Sequence, residues 1–89
     1  MIKKSRYESL ISYESFDTLN FNIINIAKNL KYLNCEYSEY ITEDNLKSLV
    51  DLVKLNCNNC ANIKKISGFK KIVILNCSDC KELTEISDL

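Results

Sequence analysis

The chain has 89 residues, and its twelve Lys and Arg balance twelve Asp and Glu to a formal charge of zero. It is room for one small domain, with no excess charge to hold a nucleic-acid backbone or an anionic membrane. Histidine, tryptophan and proline are absent and glycine occurs once, which removes Ser-His-Asp and Cys-His catalysis, imidazole metal ligands and Gly-rich phosphate loops.

The chain opens MIKKSRYESLISYES, which has charges but no apolar run of signal-peptide length behind them. No later stretch approaches the roughly eighteen apolar residues of a membrane span. Five cysteines, an odd number, without a leader argue against a disulfide framework. A cytoplasmic, reducing compartment is therefore expected. Residues 1–29 admit two readings. Leu10, Tyr13, Ser15, Thr18, Phe21 and Ile24 fit a degenerate first repeat or cap, whereas Tyr7, Leu10, Tyr13, Phe16 and Leu19 recur every three residues as in a short amphipathic helix.

From residue 30 onward the chain repeats itself. Repeats start near 30, 52 and 72, and the last two align without a gap as LVKLNCNNCANIKKI and IVILNCSDCKELTEI. Their shared frame is φxxφxCxxCxxφxxφ, where φ is apolar. The earlier copy, LKYLNCEYSEYI, has Ser38 in place of the second cysteine. The triplet Leu-Asn-Cys recurs at 33–35, 55–57 and 75–77. Within φxφ the apolar residues are two apart, the period of a strand with one buried face. The later intervals of three cannot continue that strand, so the chain must turn. A unit this short cannot bury its own apolar side, but stacking units side by side in a parallel sheet does bury it.

Between the first two copies, TEDNLKSLVD predicts a short helix. Thr42 is its N-cap, Glu43 and Asp44 lie in its first turn, and Leu46, Leu49 and Val50 face inward. The matching stretch 61–71 contains Ser67-Gly68 and is expected to make only turns.

The frame resembles the leucine-rich repeat, whose consensus begins LxxLxLxxN/CxL. The cysteine-containing form is similar to repeats in proteins of protists and very large DNA viruses. The resemblance covers residues 30–86, or 10–86 with the first segment counted. It lacks prolines after the final apolar position and a recognisable C-terminal cap. It implies an α/β repeat solenoid: a short leucine-rich-repeat stack, with a parallel β-sheet on the concave face and turns or short helices on the convex face. Residues 1–29 would then be the cap or degenerate repeat, and 30–89 the solenoid.

Cys57-x2-Cys60 and Cys77-x2-Cys80 also match the spacing of a four-cysteine zinc site. A small structural-zinc domain is thus the alternative reading. Against it, the spacing follows from the 20-residue period shared by the leucines, and Cys35 stands without a CxxC partner. Cysteine is also a compact, commonly buried residue. Two ladders of buried cysteines are the preferred reading, with no cofactor required.

Function is then expected on the outward strand face. Its third position carries Tyr32, Lys54 and Ile74, and its fifth carries Asn34, Asn56 and Asn76. The turn beyond carries Glu36, Tyr37, Asn58, Asn59, Ser78 and Asp79. From these, Tyr32, Asn34, Tyr37, Lys54, Asn56, Asn58, Asn76 and Asp79 are the candidate binding residues, because tyrosine and adaptable amides suit protein contact. The asparagine row also has a structural reading, as amides bonded strand to strand. Lys64-Lys65 and Lys70-Lys71 read as a solvated surface, and Glu36, Glu39, Glu43 and Asp44 lack catalytic partners. The resemblance implies a non-enzymatic module that binds an unidentified protein. Its C-terminal edge, near Leu89, is open to pairing with another chain.

Overall fold

The computed structural model describes residues 29–89 and the backbone of 12–14. Strands form on the short alternating triplets: β1 Ser12–Glu14, β2 Tyr32–Asn34, β3 Lys54–Asn56, β4 Lys65–Ser67, β5 Ile74–Asn76 and β6 Glu85–Ser87. One sheet has the order β1-β2-β3-β5, and a second consists of β4 and β6. Every pairing among the described residues is parallel. Ser12 pairs with Tyr32, Tyr32 with Lys54 and Lys54 with Ile74, so neighbouring strands lie 20, 22 and 20 residues apart. The same register aligns Leu33 with Leu55 and Leu75, and Asn34 with Asn56 and Asn76. The protein is a small α/β structure with parallel strands in two sheets.

Burial follows the alternation. In β2, β3 and β4 the central residue is buried while its neighbours face outward. Leu33, Leu55 and Ile66 join Leu30, Ile41, Leu46, Leu49, Leu52, Ile63 and Phe69 in one core, together with Cys35, Cys57 and Cys60. A buried leucine or isoleucine contributes about 1.5–3 kcal/mol. An exposed ion pair contributes at most about 1 kcal/mol, so the apolar column determines the register. The ion pairs then decorate it. Lys65 meets Glu85 at 3.2 Å, Lys71 meets Asp51 at 3.0 Å and Lys70 meets Asp88 at 3.8 Å, all near the surface.

The helix α1, Glu43–Leu46, is a single turn. Thr42 precedes it with extended backbone, and its N–H and hydroxyl both donate to Asn45 Oδ1, at 2.8 and 3.1 Å. Glu43 and Asp44 occupy the first turn as expected. Leu46 and Leu49 are buried, but Val50 is 53% exposed. The expectation that Val50 faces inward fails because the helix stops before the next turn, so helical spacing no longer orients residue 50.

Residues 65–67 also correct the sequence reading, since they form β4 rather than turns alone. Ile66 lies between two outward residues and pairs in register with Ile86 of β6, 20 residues on. Gly68 then turns the chain at φ +82, a conformation in which a side chain would be strained. No helix among the described residues is long and apolar enough to cross a membrane. In residues 1–29, the backbone of 12–14 is a strand paired with β2. The rest of the cap, degenerate-repeat and amphipathic-helix readings lies outside the described residues, apart from Asn29.

Candidate functional site

The four-stranded sheet sets three outward side chains side by side. Tyr32, Lys54 and Ile74 occupy equivalent positions on β2, β3 and β5, at the roughly 4.8 Å spacing of paired strands. All three are exposed, Tyr32 to 44% and Ile74 to 47%. Lys47, Lys65, Lys70 and Lys71 each meet a carboxylate. Lys54 has no such partner among the described residues. The sheet therefore presents an ammonium with no ion-pair partner among the described residues, between an aromatic and an aliphatic side chain.

The next outward row is more committed to the fold. Asn34 Oδ1 accepts the Glu36 N–H, and Asn56 Oδ1 accepts the Asn58 N–H, both at 3.2 Å. Each asparagine thus closes the turn that follows its own strand, by the side chain to backbone bond that favours this residue in turns. Asn56 Nδ2 also donates to Glu36 Oε2 at 3.3 Å, across to the preceding strand's turn. Asn58 Oδ1 accepts the Ser78 N–H at 2.7 Å, tying its turn to the next. Their bonds run to turns, not from amide to amide as the ladder of identical side chains would require. Asn76 is exposed on β5.

Tyr37, Asn59 and Asp79 take φ values of 63, 60 and 56. They are equivalent positions of three successive turns. Asparagine and aspartate tolerate this left-handed region better than other non-glycine residues, which gives Asn59 and Asp79 a backbone role. Tyr37 has no such advantage, and it extends its ring into solvent with 61% exposure. The spacing of 22 and 20 residues was visible in the sequence, but a tyrosine does not announce a positive φ.

The five thiols lie inside the fold, all unpaired. Cys35, Cys57 and Cys60 are buried, while Cys77 and Cys80 are partly exposed. Cys60 Sγ donates to the Cys35 carbonyl at 3.0 Å, and Cys80 Sγ donates to the Cys57 carbonyl at the same distance. The same carbonyls accept the turn amides of Ser38 and Cys60, each at 3.2 Å. The hydrogen bond from Cys60, with burial behind it, pushes the Cys35 thiol up. Burial does the same to Cys57 and, less deeply, to Cys77. Cys60 is drawn down by the Cys35 thiol as a side-chain hydrogen-bond partner, distinct from the carbonyl bond, and this outweighs its own burial. Zinc needs convergent thiolates. Here the thiols of Cys60 and Cys80 address different carbonyls, and no three Cys, Asp or Glu among the described residues are grouped to hold a metal ion. The four-cysteine spacing does not become a four-cysteine site.

A pocket of about 190 Å³ lies between α1 and β4, lined by Glu43, Asp44, Leu46, Lys47, Lys65, Ser67 and Phe69. It falls below the roughly 300 Å³ at which ligand pockets begin. Glu43 is engaged, since its Oε1 accepts the Lys64 N–H at 2.9 Å, a bond that lowers its pKa. The pocket lacks a pair of convergent groups suited to acid–base work.

Comparison with protein-family models, with curated proteins and with solved structures finds no match for the chain.

Proposed function

We propose that this chain is a short leucine-rich-repeat stack acting as a non-enzymatic protein-interaction module in the cytoplasm. Its binding surface is the outward face of the four-stranded sheet. The observation that carries this reading is the row Tyr32–Lys54–Ile74, exposed and in register on three parallel strands. Aromatic and aliphatic anchors beside a cation suit a protein segment, where buried apolar area supplies affinity and charge supplies orientation. Tyr37 extends the surface beyond the strand ends. The bound asparagines hold the turns in place and set the geometry of the row. The parallel register at steps of 20 and 22 residues, which aligns the Leu-Asn-Cys triplet of each unit with the next, supports the repeat-stack reading.

Peptide-display selection against the folded 89-residue chain tests the function. Binders are expected whose capture is lost with Tyr32→Ser or Ile74→Ser, two exposed positions where circular dichroism should stay unchanged. If every selected peptide binds these variants as well as the parent, the sheet face is not the interaction surface.

A further inference from the structure

The thiols of neighbouring units meet on a diagonal. Cys60 reaches back 25 residues to place its Sγ 3.0 Å from the Cys35 carbonyl, and Cys80 reaches back 23 residues to Cys57 at the same distance. The side chains meet as well as the backbone. The Cys35 and Cys60 thiols are hydrogen-bonded to one another, and so are those of Cys57 and Cys80. Cys35 and Cys57 follow paired positions of β2 and β3, yet the thiol that each meets belongs to the turn of the next unit. The sequence keeps to the same diagonal. Cys60 and Cys80 stand one unit after Cys35 and Cys57, whereas Ser38 stands one unit after Ser15. A second cysteine occurs where the preceding unit supplies a first.

Cys35 and Cys60 are the more enclosed of the two pairs. Both are fully buried, in the same core as Leu33 and Leu55. A disulfide requires close side chains, and two thiols already in contact need little movement to bond. The fold also loses little when the Cys60 S–H is removed. The Cys35 carbonyl keeps the Ser38 N–H at 3.2 Å, so no buried acceptor is orphaned. Of the two sulfurs Cys60 is the more easily ionised, because the Cys35 thiol can donate to its thiolate.

We propose that Cys35 and Cys60 form a reversible disulfide, a redox-operated fastener between the units of β2 and β3, with a peroxide as the oxidant. Hydrogen peroxide is little larger than water and reaches the pair through local opening. The Cys60 thiolate attacks its O–O bond, giving a sulfenic acid and hydroxide. The Cys35 sulfur then attacks the sulfenic sulfur and forms the S–S bond. The sulfenic hydroxyl leaves with the Cys35 proton as water. The two sulfurs have lost two electrons and the peroxide has gained them. A dithiol reductant reverses the bond. It closes a loop that holds α1 and β3, so it constrains the unfolded chain while the folded units stay where they are. The bond lies in the core and is independent of partner binding on the sheet face.

Oxidation of the folded 89-residue chain by dilute hydrogen peroxide is the test, followed by peptide mapping under non-reducing conditions. Fragmentation of the joined peptides should assign a bond from Cys35 to Cys60, and dithiothreitol should remove it. In urea the preference for this pair should disappear, because the fold makes it. Cys80→Ser leaves Cys35 and Cys60 as the one diagonal pair, and its melting temperature should rise by about 10 °C or more on oxidation. Cys60→Ser combined with Cys80→Ser should show no such rise, with circular dichroism that of the parent in both variants. The mapping on the parent chain decides by itself should either variant fail to fold. Cys35 paired elsewhere, or sulfinic and sulfonic acids in place of a bond, would overturn the proposal. So would a Cys35–Cys60 bond that forms equally in urea or leaves the melting temperature unchanged.

Discussion

The Cys60 thiol donates to the Cys35 carbonyl at 3.0 Å, a buried bond between two units that surface side chains such as Asn56 and Glu36 also join. Cys80 repeats the bond on Cys57. The two cysteine positions of each unit therefore differ in role. The first fills space and offers its carbonyl to the next unit, and the second uses its S–H.

That difference is measurable. Cys57→Val and Cys77→Val conserve shape closely and should each cost under about 1.5 kcal/mol. Cys60→Val removes a buried donor as well and should cost more than Cys57→Val, by roughly 0.5–1.5 kcal/mol. Cys60→Ser should be tolerated, because Ser38 occupies the equivalent site in the preceding unit at 8% exposure. Cys57→Asp should unfold the chain, since an unpaired buried charge costs several kcal/mol against a total stability on the order of 4–13 kcal/mol. Urea titration followed by circular dichroism ranks the five. If Cys57→Val and Cys60→Val prove equal, the thiol–carbonyl bond contributes nothing.

The left-handed turn positions give a second test. Tyr37 holds φ 63 where the next unit places Asn59 at φ 60. Tyr37→Asn relieves about 1 kcal/mol of backbone strain at little loss of burial, which corresponds to a melting-temperature rise of about 4–8 °C. Asn59→Val should lose about 1–2 kcal/mol by the same argument in reverse. Gly68→Ala meets open space yet still strains the backbone at φ +82, so a loss of about 1 kcal/mol is expected there too. A neutral Asn59→Val would mean that the turn can rearrange.

The parts of this structure legible from sequence are those where one residue type answers one demand. The triplet Leu-Asn-Cys at 33, 55 and 75 marks the strand register because a buried leucine and a turn-closing asparagine are needed once per unit. β4 was hidden because Lys65-Ile66-Ser67 offers a single apolar residue between polar ones. Its match to Glu85-Ile86-Ser87 carries meaning only once the parallel pairing is known. The asparagine bonds were hidden for a different reason. Whether Asn56 faces a partner or its own turn depends on where the backbone goes two residues later, which spacing alone does not state. Val50 shows the opposite failure, a correct periodicity extended past the end of a one-turn helix.

Acid stability should depend on Glu43. The Lys64 N–H bonds its carboxylate, so its folded pKa lies below the ordinary value. A depressed folded pKa adds stability that is present above the unfolded value, about 4.3, and lost as pH falls through the folded pKa. Glu43→Gln keeps an acceptor oxygen but no charge. Thermal melts at descending pH should therefore show the parent losing more stability than Glu43→Gln below that range, while above it the parent is the more stable of the two. Parallel curves would assign no role to the charge.

Thiol reactivity should divide the cysteines by exposure. Alkylation requires the thiolate and access together. Cys77 and Cys80 are partly exposed, whereas Cys35, Cys57 and Cys60 are buried. Under native conditions iodoacetamide should label Cys77 and Cys80 first, as read by peptide mass spectrometry. Burial raises the pKa of Cys77, so its rate should stay below that of a free peptide thiol at the same pH. Cys60 is the informative case, because the neighbouring Cys35 thiol, as a side-chain hydrogen-bond partner, lowers its pKa while its burial denies access. If access governs, Cys60 reacts with the slow group and its labelling follows the opening equilibrium, rising with denaturant. Labelling of Cys60 ahead of Cys80 in the native chain would show instead that the protein opens between the second and third units.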